Sequence, residues 1–395
     1  MISVDEALAR IRAAITPSPP IAAALGQAAG RVLAEPVTAE IDQPPFAASA
    51  MDGYAVRAAD VAAGAVLTQI GVSQAGRGFD GNVGQGECVR IFTGAQVPEG
   101  ADAVIMQERT ETDGTNVRFE SGTEAGANIR KRGNDFAKND VLIAAGEIMT
   151  PSRIALAAAA NHAMCTIATP PRAVLIATGD ELVPPGSPLG ADQIVASNSF
   201  GLSAMFDPLC GAVVDHGIVP DDRAQLAAAI GAALDDNPDV LVTTGGASVG
   251  EHDFVQDVLK ECGVEIDFWR IAVRPGKPLM FGTRGRTLVF GLPGNPVSAL
   301  VTAHVFVLPA LRALLGAPEP PRLRLPLGDA IPPNGPRQHF LRARIFSEPE
   351  GTVVIPIAQT DSGHLSSLAQ ANCLIVQPAG DPGKAPGDPV DISLL

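Results

Sequence analysis

At 395 residues the chain exceeds the roughly 100 to 200 residues of one domain, and 46% apolar against 18% charged residues excludes a disordered chain. With 28 Lys and Arg against 43 Asp and Glu the net charge is −15, a field that repels nucleic acid and anionic lipid headgroups alike. Cys88, Cys165, Cys210, Cys262 and Cys373 are odd in number and form no C-x-x-C pair, which points to a reduced, cytoplasmic protein.

The 41 glycines and 34 prolines predict many turns and short strands. Residues 2 to 15 carry Ile2, Val4, Leu8, Ile11 and Ile15 at helical spacing behind Ser3, so a short amphipathic helix starts the chain and Thr16-Pro-Ser-Pro-Pro20 ends it. From about Val37 to Asp140, runs such as Val89 to Phe92 and Ala103 to Met106 alternate with glycine-rich turns and read as a β-rich domain. Thr150 to His162, Ala-rich with Pro151 at the first helical position, reads as a connecting helix.

From Arg172 the texture changes: continuous apolar strands (Ala173 to Ala177, Val213 to Val219, Asp239 to Thr243, and others near Ile271 and Leu288) alternate with helices at Arg223 to Leu234, Asp253 to Cys262 and Pro296 to Leu315. That pattern predicts a parallel, doubly wound α/β sheet. The apolar stretch Ala299 to Leu315 contains His304, Pro309 and Arg312 and is read as falling short of a membrane span. After Pro318-Glu-Pro-Pro321, candidate strands Leu323 to Leu327, Phe340 to Ile345, Thr352 to Ile357 and Cys373 to Val376 predict a small C-terminal barrel or sandwich.

In open α/β sheets ligands bind beyond the carboxyl ends of the strands, where loop and helix N–H groups hold anions. Three segments have that placement: Ile176-Ala-Thr-Gly-Asp-Glu181, Val242-Thr-Thr-Gly-Gly-Ala-Ser-Val-Gly250, and Gly291-Leu-Pro-Gly-Asn-Pro-Val-Ser298, where Asn295 can cap and Pro296 can start the long helix. Singly, each is equally what a strand-to-helix turn requires; together they converge along one sheet edge. Nearby, Arg270, Arg274 and Lys277 concentrate positive charge in an acidic chain, which suits an oxyanion, a solvated surface being the alternative. In the β-rich region, Tyr54 is the only tyrosine, either a site residue or a packing plug, and Arg130 to Arg132 form a basic run beside Asp135.

Six segments in order carry a resemblance: S-A-M-D-G-Y-A-V at 49 to 56, R-I-F-T-G-A at 90 to 95, T-G-D-E-L at 178 to 182, G-G-A-S-V-G at 245 to 250, R-P-G-K-P at 274 to 278 and G-L-P-G-N-P-V-S-A at 291 to 299. The chain resembles MoeA-type molybdopterin molybdenumtransferases and is similar to the gephyrin C-terminal domain. The resemblance implies a multidomain α/β and β architecture. A molybdopterin-binding α/β domain takes 1 to 19 and 170 to 318, a connecting domain 20 to 37 and 140 to 169, a β-rich domain 38 to 139, and a C-terminal β-barrel 319 to 395.

It further implies a homodimer whose active site lies between the α/β domain of one subunit and the β-rich domain of the other. There, molybdenum from molybdate enters adenylylated molybdopterin with release of AMP and with Mg2+ as cofactor. Carried over by position, Asp52, Thr93 and Asp135 come from the partner subunit, and Glu181, Asp221 and Asp253 are the carboxylates that hold the metal or position the nucleophile. Thr178, Gly179, Asp180, Ser199, Gly245, Gly246, Ser248, Gly250, Arg270, Arg274, Lys277, Pro293, Asn295 and Ser298 bind substrate, and Arg342 and Ser362 take molybdate. Arg270 and Arg274 stand where many relatives have lysine, which replaces a point charge by a bidentate fork. Partners implied are a molybdopterin adenylyltransferase and molybdoenzyme acceptors. The alternatives are a molybdopterin adenylyltransferase, since T-G-D-E-L and G-G-x-S-x-G also occur there, and a gephyrin-like scaffold.

Overall fold

The computed structural model describes residues 1–246, 254–349, 351–358 and 361–395. The N-terminal helix Val4–Ala14 is capped by Ser3, whose hydroxyl accepts from Glu6 N at 3.1 Å. Its apolar face (Val4, Ala7, Ile11) is buried in the core of the α/β domain rather than in the segments that follow it. The chain then builds a connecting unit from the antiparallel pair Ile21–Ala24 with Met164–Ile167, the pair Val37–Thr38 with Val141–Ile143, and the helix Pro151–Ala159, around a core that includes Leu33, Ile143, Met149 and Ile167.

Inserted within that unit is a β-rich domain. Its six-stranded sheet has the order Ala103–Met106, Gly53–Val56, Glu87–Ile91, Val66–Ser73, Asn116–Phe119, Thr110–Asp113. Gly53 sits where the sheet allows no side chain, since a Cβ there would lie 1.8 Å from the carbonyl oxygen of Ile105. Tyr54 is 5% exposed and meets Phe119 edge to face at 6.1 Å, so the lone tyrosine is a packing residue.

The α/β domain carries a six-stranded sheet in the order Ala212–Val219, Arg172–Thr178, Val240–Thr244, Thr287–Leu292, Met280–Arg284, Glu265–Trp269. The first four strands are parallel, as the alternating pattern predicts, but Met280–Arg284 runs against both its neighbours and makes the sheet mixed, while Glu265–Trp269 points the same way as the first four. Ile271 belongs to neither; it bridges to Ile2 of the N-terminal segment. Separate apolar cores cover the two faces, one holding Leu175, Val242 and Phe290 and the other Val174, Ile176 and Leu241, which is the period-2 alternation of a sheet buried on both sides.

The helix that begins at Pro296 runs to Leu314 with a π-helical turn at Ala303–Val307. It is long and apolar enough to cross a bilayer, where the sequence reading has it fall short, yet 72% of its apolar window is buried, with Val297, Val301, Phe306 and Leu311 in the α/β core, as in a core helix. The C-terminal sheet has the order Val273–Arg274, Gln338–Glu348, Cys373–Gln377, Pro389–Leu394, Leu323–Pro326, with Gly351–Pro356 also paired to the long strand. Its edge strand is thus a two-residue loan from the α/β domain, with Arg274 opposite His339 in parallel register. That junction positions one of the two cavities described next. All five cysteines are free, and burial pushes the Cys88 and Cys210 thiols up to about 12, so neither is a nucleophile.

Candidate active site

The strand Arg172–Thr178 has Ala212–Val219 on one side and Val240–Thr244 on the other, so the chain reverses its winding beside it, and a crevice opens at the carboxyl ends. A cavity of about 440 Å³ occupies that crevice, lined by the loops after the four parallel strands. It brings together Thr178, Gly179, Glu181, Asp221, Ser199, Gly245, Gly246, Pro293 and Asn295, nine of the residues singled out from sequence. Gly245 and Gly246 have φ of +91° and +59°, and a Cβ on Gly245 would lie 2.2 Å from the Thr178 carbonyl oxygen, so this loop folds back against its neighbour only with glycine. Ser248, Gly250 and Asp253 lie outside the described residues.

The cavity's polar groups are ordered by each other. Thr178 Oγ1 donates to Asp221 Oδ1 at 2.7 Å, and the Asp221 backbone N–H donates to Asp180 Oδ1 at 3.0 Å. Asp180 therefore shapes the loop and does not line the cavity. Asn198, not singled out from sequence, donates through Nδ2 to the Gly294 carbonyl at 2.8 Å and holds Oδ1 buried without a partner among the described residues. A buried acceptor left open beside a cavity is a place for a ligand donor.

The resemblance implies a divalent cation, and the donor set here suits a hard one, which takes oxygen ligands. The Glu181 carboxylate occupies the space of an absent side chain, its oxygens 2.6 and 2.9 Å from where a Gly179 Cβ would stand. Glu181 and Asp221 both face the cavity, and among the described residues no group of three His, Cys, Asp or Glu completes a cage.

Arg274, Lys277 and Arg342 assemble elsewhere. A second cavity of about 320 Å³ lies between the α/β and C-terminal domains, lined by Arg274, Lys277, Ser298, Arg342 and Ser362 together with Arg337 and His339. Arg274, Lys277 and Ser298, placed from sequence with the phosphate loops, thus face the residues assigned to molybdate. Arg342 is 5% exposed, and its Nη1 donates to the carbonyls of Asp361 (3.1 Å) and His364 (3.3 Å) and to Ser367 Oγ (2.6 Å). No carboxylate is among the described lining residues, so the cavity presents four permanent cations and hydroxyl donors, the chemistry of an oxyanion site.

One hydrogen bond joins the two cavities. Asn295 stands at the cap position of the helix that starts at Pro296, but its side chain does not cap; Nδ2 donates to Ser362 Oγ at 2.9 Å. The helix N–H that it leaves open, that of Val297, donates instead to the Ser362 carbonyl at 3.2 Å. By accepting from Asn295, the Ser362 hydroxyl is left to donate into the second cavity.

The three predicted residues of the β-rich domain lie apart from both cavities in this chain. Asp52 Oδ1 accepts from the Thr93 N–H and Oγ1, each at 2.7 Å, and these two bonds, with Arg90 nearby, hold the carboxylate below its ordinary range. Arg90 lies over Tyr54 and Phe92 and donates to the Gly53 carbonyl, fixing the segment behind Asp52. Asp135 is exposed on a turn, its N–H given to the Gln43 carbonyl, while the adjacent basic run is partly spent on an Arg132–Asp42 ion pair. Arg270 also lines neither cavity: it has φ +78° and its guanidinium stacks 4.2 Å above the ring of Trp269. Sequence reasoning missed Asn198, Arg337 and His339, and only the position of Asn198 beside Ser199 was a signal.

Comparison with known proteins agrees with this architecture segment by segment. Residues 2–161 match the MoeA N-terminal region (domain I and II), 174–313 a probable molybdopterin binding domain, and 324–395 the MoeA C-terminal region (domain IV). A molybdopterin molybdenumtransferase of Haemophilus influenzae is 37% identical, over 89% of this chain and 88% of its own length. One of Staphylococcus aureus is 32% identical over 100% of this chain and 95% of its own. The solved molybdopterin biosynthesis MoeA protein of Pyrococcus horikoshii superposes with a TM-score of 0.85 at 28% identity, covering 100% of both chains. With three family models matched in order along the chain and relatives of 32 to 37% identity aligned over most of its length, the chain belongs to the MoeA family of molybdenum cofactor biosynthesis proteins.

Proposed function

We propose that this chain is a molybdopterin molybdenumtransferase that receives adenylylated molybdopterin and molybdate, joins the metal to the dithiolene sulfurs and releases AMP. The observation that carries the reading is the pairing of a glycine-looped cavity at a parallel sheet edge with an all-cationic oxyanion cavity, bridged by Asn295 and Ser362. The first suits a phosphoanhydride: backbone N–H groups of the Gly245 and Gly246 loop and the end of the long helix meet the phosphate, while Asn198 and Ser199 meet its polar substituents. The second suits a tetrahedral dianion held by Arg342, Arg274, Lys277 and Ser362. Tungstate, nearly equal in size and charge, would seat there equally well.

Glu181 and Asp221 would hold Mg2+, which when bound neutralises phosphate charge and draws electron density from phosphorus. The protein's own part is to orient Asp221 through Thr178 and Asp180, and to keep the anion apart from the pterin cavity until both are filled. The active unit is a homodimer, because Asp52 and Thr93 form an ordered carboxylate and hydroxyl pair that neither cavity of their own chain uses. Free buried cysteines support a cytoplasmic location, with a molybdopterin adenylyltransferase as supplier and molybdoenzymes as acceptors. Nothing favours the adenylyltransferase or scaffold readings.

The test is purified protein with adenylylated molybdopterin, Mg2+ and molybdate. AMP release that depends on molybdate is expected, and its absence refutes the reading. Light scattering tests the dimer.

A further inference from the structure

The oxyanion cavity contains one residue whose charge is not permanent. His339 is 7% exposed, lines the cavity, and makes no side-chain hydrogen bond among the described residues. Its ring nitrogens are not among the sealed, unpartnered atoms, so they open on the cavity, where water or a ligand completes them.

Its surroundings explain both its state and its purpose. Arg274 stands beside it in parallel register, Arg342 lies on its own strand with Arg337 just before that strand begins, and Lys277 lies on the loop that follows Arg274. Across the sheet its partner is Gln377, which donates to Pro332 O at 2.8 Å and to Asp381 Oδ1 at 3.3 Å. Of the nearby carboxylates, Asp361 accepts from Gly363 N and Asp381 from Gly383 N, so both are engaged in their own turns. His364 contributes its carbonyl to Arg342. The helix beginning at Pro296 offers Ser298 and no charged group at the cavity.

Resting on the reading of this cavity as an oxyanion site, we propose that His339 is a further ligand of the anion, taking up one proton as a tetrahedral dianion enters. Without anion, burial and the three guanidinium groups keep the imidazole neutral, lowering its pKa to about 4. A dianion among the same groups reverses the sign of the local field. The imidazolium then donates to an anion oxygen, which the neutral ring with its proton on the far nitrogen does not. Anion binding and proton uptake are therefore linked, and each strengthens the other equally.

The experiment is titration calorimetry of the full-length protein with molybdate at pH 6.0 and 7.5, at each pH in two buffers of different ionisation enthalpy. Expected is close to one proton taken up per anion at pH 6.0, with the dissociation constant tightening about three- to tenfold per pH unit below 7. His339→Gln should bind molybdate with no proton uptake and a flat pH dependence. In wild type, the ring Cε1–H resonance assigned to His339 should move to its imidazolium position when molybdate is added at pH 6.0, a readout that needs no variant. Binding without proton uptake, uptake that persists in His339→Gln, or an unmoved resonance would each overturn the role of His339 while leaving the oxyanion cavity standing. No molybdate binding at either pH overturns the cavity reading itself.

Discussion

Replacing Arg342 tests the oxyanion cavity where its geometry is most constrained. The guanidinium is 5% exposed and its Nη1 alone meets two carbonyls and a hydroxyl of the 361 to 367 turn, so Arg342→Met leaves those acceptors without their donor. At about 1 kcal/mol for each, stability should fall by roughly 2 to 4 kcal/mol, which the C-terminal domain survives if its own core of Leu341, Val354, Ile375 and Ile392 stays intact. Anion binding loses one charge-assisted hydrogen bond, about 1.5 to 3 kcal/mol, or roughly 10- to 150-fold in dissociation constant. Arg342→Lys keeps the charge without the fork and should recover most of the affinity but less of the stability. Calorimetry with molybdate gives the first number and urea unfolding the second. A folded Arg342→Met protein that binds molybdate within twofold of wild type refutes the assignment.

Other consequences are equally direct. Thr93→Val removes the hydroxyl that bonds Asp52 but keeps the N–H, and should slow AMP release about tenfold or more, with Thr93→Ser restoring it; unchanged turnover would make the pair structural. Gly245→Ala forces a Cβ to within 2.2 Å of the Thr178 carbonyl at a φ of +91°, so AMP affinity should drop more than tenfold, and an unaffected affinity would mean the loop is not the phosphate cradle.

The pH dependence of stability follows from His304 and His339, both lowered by burial to about 4. Because the folded values lie below the unfolded 6.5, the unfolded chain binds more protons between about pH 4 and 6.5. Stability is therefore complete above that window and lost as pH falls through it, by about 2 kcal/mol per histidine at pH 5. Urea midpoints at pH 5 and 7 measure this; equal midpoints would contradict it. His304, whose Nε2 meets Ser393 Oγ at 2.8 Å, joins the π-helical turn to the last strand, so His304→Asn should flatten the profile.

Much of the architecture was legible locally. Ser3, read as a helix start, caps its helix, and Thr150 and Asp222 cap theirs through the same residue chemistry, because a cap needs only neighbours three residues away. The glycine loops after Thr178 and Thr244 were legible for the same reason. Asn295 shows where locality ends: in sequence it reads as a cap, but a hydroxyl 67 residues away claims its amide.

The amino-acid sequence by itself determined the elements, their order, and the family to which six ordered segments belong, since hydrophobic period and turn chemistry act over a few residues. Tertiary structure alone decided that Met280–Arg284 runs against the other strands of the α/β sheet, that Arg274 and Lys277 face Arg342 rather than the phosphate loops, and that His339 lies among guanidinium groups. Strand direction and charge clustering depend on which distant segments the cores bring together. The Val273–Arg274 strand, lent across a domain boundary to the Gln338–Glu348 strand, places the cations and the histidine around one cavity.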